Sequence, residues 1–256
     1  SLVAAVLNVN SGSLSLGVDQ GLAASSVVNV AGGTLNNSTF SNTIAALNLS
    51  TGLISGSGTL TASAYVLSGG TVAGTLGAGT ASITGGVSLT GTTQATLLNI
   101  TAGGLLTLGA SNRIADSTAL LIDAGQLALG SYNDTVGSFG MANGGRLSGV
   151  GALTAATYAL QGGTVDANLG LGVATVSNGV TLLNGSLAAL SVSINSGSLV
   201  LGASNRLASL ASVSVAGGTL NMNAFSNTVN AFSLSSGILT GSGTLTAGTY
   251  SLSGGL

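Results

Sequence analysis

The chain has 256 residues, 43 of them glycine, and it contains no proline, cysteine, tryptophan, histidine, lysine or glutamate. Apart from tyrosine and the termini, its ionisable groups are three arginines and five aspartates, giving a formal net charge of -2. This set excludes thiol chemistry and histidine-based catalysis, and it lacks the clustered cations that nucleic acid requires. Hydrophobic residues make up 45% of the chain, so it can bury a core and is not predicted to be disordered.

One long unit recurs along the chain. The segment GSGTLTASAYVLSGG at 56–70 returns as GVGALTAATYALQGG at 149–163 and as GSGTLTAGTYSLSGG at 241–255. The spacing of the tyrosines in these segments sets a super-repeat of about 92–93 residues. We refer to the three occurrences as the first, middle and third copies.

A second motif marks the same copies. LGASNR at 108–113 recurs at 201–206, and LGVDQG at 16–21 is a diverged first occurrence. Asp19 is predicted to occupy the site of the asparagine in the other two motifs. Each of these positions is predicted to mark the same corner of successive copies.

Within each copy, shorter steps begin at a glycine-containing turn that an aliphatic residue follows. The glycines that define these steps are Gly12, Gly33, Gly52, Gly70, Gly86, Gly104, Gly125, Gly145, Gly163, Gly179, Gly197, Gly218, Gly237 and Gly255. Nearly the same series of longer and shorter steps recurs in order from copy to copy. Steps of about 16–21 residues are too short for helical repeats and suit one coil of a β-solenoid.

Apolar and small polar residues alternate around each turn, as in SGSLSLG, AGGTLNN and GSGTLTA. This alternation predicts strands with aliphatic side chains inside and hydroxyls outside, while glycine and asparagine supply the corners. We therefore predict an all-β parallel β-helix of about fourteen coils, forming one continuous domain over residues 1–256. No apolar run approaches the ~18 residues of a spanning helix, so no transmembrane segment is predicted.

Several units resemble the repeats of bacterial autotransporter passenger regions, the autotransporter-associated β-strand repeats, and of related haemagglutinin-like exoproteins. The units that carry this resemblance are GGTLNNSTFSNTIAALNLSTG, SGSGTLTASAYVLSGGTV, GGTVDANLGLG and SGSLVLGASNRLA, and it covers essentially the whole chain. The resemblance implies a right-handed parallel β-helix that is exported through a bacterial envelope. It implies an extracellular location or display on the cell surface.

Carboxylates are the first candidates for chemistry. Asp116 and Asp134 are separated by about one coil, so they are candidates for stacking, with Asp123 between them. The alternative is that they are isolated corner residues, because Asp134 matches Asn42 and Asn227 in the other copies. We favour the corner interpretation and predict no catalytic residue, no cofactor, no metal site and no enzymatic activity.

Aromatic and basic residues also recur at fixed positions. Phe40, Tyr132 and Phe225 share one position and are predicted to be bulky plugs of a wide coil, with a glycan-stacking platform as the alternative. Arg113 and Arg206 share another position and are predicted to be solubilising charges at an edge.

Solenoid ends normally carry polar caps, and neither end of this sequence shows one. We therefore expect a segment of a longer array or a protomer that stacks end to end into a filament. The predicted function is a structural fibre or stalk of a bacterial cell surface or biofilm matrix. The alternative is an adhesin whose flank binds glycans or host surfaces. The expected partners are further copies of the same array and surface glycans, and not nucleic acid.

Overall fold

The computed structural model describes residues 2–256, so Ser1, the first residue of the predicted solenoid, lies outside the described residues. The described chain is all-β, with 24 strands and no helix. The strands are β1 Val6–Val9, β2 Ser13–Ser15, β3 Val27–Asn36, β4 Asn42–Ser55, β5 Thr59–Val72, β6 Thr75–Leu76, β7 Thr80–Leu89, β8 Thr92–Thr93, β9 Leu97–Ile100, β10 Leu105–Leu108, β11 Ala119–Asp123, β12 Gln126–Gly130, β13 Asp134–Gly149, β14 Ala152–Val165, β15 Asn168–Leu169, β16 Val173–Val176, β17 Val180–Leu183, β18 Ser191–Ile194, β19 Ser198–Leu201, β20 Ser212–Val215, β21 Thr219–Asn221, β22 Asn227–Leu234, β23 Ile238–Thr240 and β24 Leu245–Leu252. None of residues 2–256 belongs to a helix that is long and apolar enough to cross a membrane.

These strands form a parallel β-solenoid of about 13 turns, so the predicted fold class is confirmed. The fourteen glycines of the sequence pattern bound thirteen steps, which explains why the number of turns is one lower than predicted. The right hand of the helix stays a prediction. The described residues group into two compact units, the first running to Leu120 with Gly125–Ala128 and the second comprising Leu121–Ala124 with Leu129–Leu256.

In the first unit, parallel pairing joins β1 to β3, β3 to β4, β4 to β5 and β5 to β7. Val6 lies opposite Val27, and Val27 lies opposite Ala46. The following turn continues with Asn42 opposite Leu60. These three offsets equal the first three glycine steps of the sequence, so the predicted turn lengths are confirmed.

The second unit repeats the pattern. Its strands β18, β20, β22 and β24 pair in parallel, with Ser191, Ser212, Ala231 and Thr249 in one row. The offsets along this row equal the three glycine steps of the third copy, as the sequence predicts. Because the register is parallel, equivalent side chains of successive turns stack above one another.

The interior follows from the alternation of side chains. In β5, for example, Leu60, Ala62 and Leu67 are buried, whereas Thr61 is half-buried and Ser68, which follows Leu67, is exposed. The long strands turn a corner without interruption at glycine, and Gly70 in β5 has a φ of 87°. A Cβ there would lie 2.7 Å from the carbonyl oxygen of Gly52 in the preceding turn, so only glycine lets the two turns approach this closely.

Candidate functional site

The aspartates occupy unlike environments. Asp134 is buried at the start of β13, whereas Asp116 is exposed in a turn of the first unit. Asp123 accepts a hydrogen bond from Nδ2 of Asn143 at 2.6 Å. Within residues 2–256, no group of three or more potential metal-ligating side chains is close enough to hold an ion.

Asn42 and Asn227, the residues that match Asp134 in the other copies, lie at corners of their turns and bond to the backbone there. Asn42 begins β4, and its Oδ1 accepts the backbone N–H of Leu22 at 3.2 Å. Asn227 begins β22, and its Oδ1 accepts the N–H groups of Arg206 at 2.7 Å and Leu207 at 3.2 Å. Both side chains are buried, so they supply an acceptor to a backbone segment of the preceding turn that has left the strand ladder.

The corner predicted for Asp19 falls one residue later in the structure. Asn112 and Asn205 both have a φ of 56°, and the residue with the equivalent conformation is Gln20, with a φ of 51°. Asp19 instead accepts the backbone N–H of Ser41 at 2.7 Å. The prediction for Asp19 was wrong because LGVDQG, aligned residue by residue with LGASNR, places Gln20 opposite the asparagine.

The recurring arginines do more than carry charge at an edge. Nε of Arg113 donates to the carbonyl oxygen of Ser111 at 2.9 Å, and Nη1 donates to that of Thr90 at 3.2 Å. Nε of Arg206 likewise donates to the carbonyl oxygen of Ser204 at 3.3 Å. Both side chains therefore satisfy carbonyl groups of a turn, a role that composition alone did not indicate.

The recurring aromatic residues, predicted to be bulky plugs of a wide coil, lie at turns and are half-buried. Phe40, Tyr132 and Phe225 all show intermediate exposure. A Cβ on Gly151 would overlap the carbonyl group of Tyr132, so the next turn packs on the backbone of this residue and leaves its ring partly open. The enclosed aromatic side chains include Phe139 and Tyr158, whose rings meet edge to face with centroids 6.4 Å apart.

An asparagine ladder in the first unit was not foreseen. Nδ2 of Asn29 donates to Oδ1 of Asn8 at 2.7 Å, and Nδ2 of Asn48 donates to Oδ1 of Asn29 at 2.8 Å. The signal was present in the sequence, because the first two glycine steps are also the spacings of these three asparagines. The prediction compared residues one copy apart, whereas these asparagines lie one turn apart, so the ladder was not predicted.

Comparison with protein-family models, curated proteins and solved structures finds no match to this chain. Its own turns and surfaces are therefore the basis for assigning a function.

One surface feature of the second unit is a groove of about 520 Å³, which we name the amide groove. It forms where β13, β14 and the start of β17 pass a corner. Its lining includes four glycines, which contribute no side chains, together with three amide side chains and a threonine. The lining residues are Asn143, Gly144, Gln161, Gly162, Gly163, Thr164, Asn178, Gly179, Val180 and Leu182.

A charged cluster adjoins the amide groove. Arg146 lies opposite the groove residue Thr164 in the strand register. Nε and Nη2 of Arg146 each lie 2.8 Å from Oδ2 of Asp166, and Nδ2 of Asn184 donates to the other carboxylate oxygen at 2.7 Å. The two charges neutralise each other, so the rim of the groove carries polar groups of both kinds without excess charge.

The final described turn exposes residues that are interior elsewhere. Tyr250 in β24 is 54% exposed, whereas the equivalent Tyr65 and Tyr158 are each 1% exposed. Leu252 is 68% exposed, and the equivalent Leu160 is fully buried. In the middle copy, β16 covers this part of β14 by parallel pairing, which accounts for the burial of Tyr158 and Leu160.

Proposed function

We propose that this chain is part of a structural fibre or stalk outside a bacterial cell, extended by stacking of further turns of the same kind. The observation that carries the proposal is the parallel pairing of one turn on the next, in which Ser191, Ser212, Ala231 and Thr249 form one row. Burying apolar surface is the main driving force for association, and parallel strand pairing gives it a defined register. The stacked turn comes from further repeats or from a second copy.

The composition of the surface supports a passive role. Two outward rows across β18, β20, β22 and β24 contain only serine, threonine or alanine, one of them being the row of Ser193, Ser214, Ser233 and Ser251. With no histidine, lysine or glutamate, the chain lacks most of the groups that activate a serine or threonine nucleophile, and with no cysteine it has no thiol nucleophile. We therefore assign it no catalytic function.

The proposed location follows from the resemblance of the repeats to bacterial autotransporter passengers and haemagglutinin-like exoproteins. Lack of cysteine suits a chain that crosses an envelope before it folds, because no disulfide can form early. We propose an extracellular or cell-surface location, with the matrix of a biofilm as one setting for such fibres.

Electron microscopy and light scattering of the purified chain test the proposal. We expect rods that lengthen with protein concentration, because each added copy would pair its strands in parallel with a turn of the preceding copy. Leu252→Asp should abolish lengthening, since a charge would then be buried without a partner. Thr249→Asp is the matched control, because Thr249 lies on the same strand at an outward, exposed position. A wild-type chain that stays monomeric at every concentration would contradict assembly from copies.

A further inference from the structure

The amide groove coincides with the place where the middle copy departs from the other two. Gln161 stands where the first and third copies have Ser68 and Ser253. Asn178 stands where the first copy has Gly85. Since the equivalent turn folds in the first unit with serine and glycine, folding does not require the two amides.

The charged cluster shows the same divergence. Arg146 replaces an aliphatic residue, Leu53 in the first copy and Ile238 in the third. Asp166 replaces Ala73. A partly exposed ion pair of this kind contributes little to stability, about 0–1 kcal/mol, so stability is a weak reason for its presence.

The corner of the middle copy is also one residue longer. The glycine step that contains Asn143 runs from Gly125 to Gly145, one residue more than its counterparts in the other two copies. The register between β13 and β14 shifts between Ala142 and Gly145, which accommodates the extra residue. Asn143 takes a φ of 54° there and reaches the carboxylate of Asp123.

From these observations we propose that the amide groove is a binding site for a neutral saccharide. Gln161 is exposed, and its side chain makes no hydrogen bond to the rest of residues 2–256, so both its donor and its acceptor face solvent. Oδ1 of Asn178 accepts the N–H of Gly179 at 3.1 Å, and its Nδ2 remains available. Paired donors and acceptors on amides match the vicinal hydroxyl groups of a sugar.

The other groups of the groove fit the same ligand. Val180 is 60% exposed beside the amides and offers methyl groups to the C–H face of a pyranose ring. The volume of about 520 Å³ falls in the range of small-molecule sites. Because Arg146 is paired with Asp166, it leaves no free cation for an acidic sugar or a phosphate. The site belongs to one copy of the repeat, so it does not depend on the fibre proposal.

Nuclear magnetic resonance of the whole chain tests this site. Neutral tetrasaccharides of glucose, mannose and galactose are the probes, and a tetrasaccharide of galacturonic acid is the contrast. We expect at least one neutral probe, and not the acidic one, to shift the side-chain amide signals of Gln161 and Asn178. No shift with any neutral probe, or shifts with the acidic probe alone, would overturn the proposal.

A variant built from the residues of the first copy locates the binding. Gln161→Ser combined with Asn178→Gly should fold normally and weaken binding of the same probe by about tenfold or more, because two sets of hydrogen bonds are lost. Asn230→Ser is the control, since Asn230 is an exposed amide on β22 outside the groove. Unchanged affinity in the double variant would place the saccharide elsewhere and refute the assignment of the groove.

Discussion

Several buried side chains of this solenoid complete the hydrogen bonding of backbone groups that lie outside the strand ladder. The hydroxyl group of Tyr158 accepts the N–H of Ala155 at 2.9 Å and lies 3.2 Å from the carbonyl oxygens of Leu153 and Leu171. Tyr65 makes the equivalent contacts in the first unit. In the first and middle copies, one tyrosine therefore occupies the interior and also completes the hydrogen bonding of a bend in its own strand.

We expect Tyr158→Phe to lower the free energy of unfolding by about 1–3 kcal/mol, because the N–H of Ala155 would be buried without an acceptor. Tyr250→Phe is the matched control. Its hydroxyl accepts the N–H of Ala247 at 2.8 Å, but the residue is 54% exposed, so water can replace the lost group. Urea unfolding followed by circular dichroism measures both, and equal losses in the two variants would contradict this explanation.

The asparagine at the start of β22 gives a second prediction. Asn227→Ala removes the acceptor shared by the N–H groups of Arg206 and Leu207, and we expect a loss of about 1–3 kcal/mol. Asn230→Ala, on the same strand and exposed, should change stability by about 0.5 kcal/mol or less. Hydrogen exchange at Leu207 should rise in the first variant alone, and unaltered exchange there would refute the capping role.

At the scale of the elements, glycines set how closely successive turns approach. The strands β4, β5, β13 and β14 each have 14 or more residues and continue through a corner, where the register to a neighbouring strand can shift, as it does between β13 and β14. Glycine is needed at some positions in and beside these strands because φ is positive there, and at others because the backbone of the previous turn leaves no room for a Cβ. Gly58, which precedes β5, is of the second kind, because a Cβ there would overlap the carbonyl group of Phe40.

Gly58→Ala should destabilise the first unit by about 1–3 kcal/mol, because the turn must move away from Phe40 to admit a methyl group. Gly86→Ala is the control, since a Cβ on Gly86 meets no atom within 4 Å and its φ is not in the left-handed region. That substitution should be neutral or slightly stabilising. Thermal unfolding of the two variants side by side measures the difference, and a cost at Gly86 as large as that at Gly58 would contradict it.

At the scale of the whole molecule, the scarcity of ionisable groups determines the response to pH. Burial raises the pKa of Tyr65 and of Tyr158 above the ordinary tyrosine value of 10.0, and hydrogen bonds from backbone groups only partly offset this rise. A raised pKa in the folded state favours the neutral phenol. The stability linked to these tyrosines is therefore complete below about pH 10 and is lost as pH rises through the raised pKa values.

We expect the urea midpoint to be nearly constant from about pH 6 to about pH 9, because no side-chain type in the chain has an ordinary pKa in that range. It should fall above about pH 10. The double variant Tyr65→Phe with Tyr158→Phe starts from a lower midpoint but should lose less in alkali. A marked change of the wild-type midpoint between neutral pH and about pH 8, or an identical alkaline loss in the double variant, would contradict this account.

The amino-acid sequence by itself determined the class of fold and the length of each turn. Both depend on local properties: side chains alternate along a strand, and glycine or asparagine is needed where φ is positive. Five of the eight described non-glycine residues with positive φ are asparagine, as the sequence pattern indicates. The corner interpretation of Asn42 and Asn227 could also be made from the sequence, because the two residues recur at one position of the repeat.

Only the tertiary structure decided which residues of different turns meet. Asn184 bonds to Asp166, and Arg146 pairs with the same carboxylate, across one turn of the solenoid in each case, so each contact depends on the register of neighbouring turns. The amide groove likewise forms only where three successive turns pass the same corner, with glycines and amide side chains contributed by different turns. A repeat pattern shows what the copies have in common. The proposed binding surface consists of residues in which the middle copy differs from the other two, and the stacking of turns places these residues next to one another.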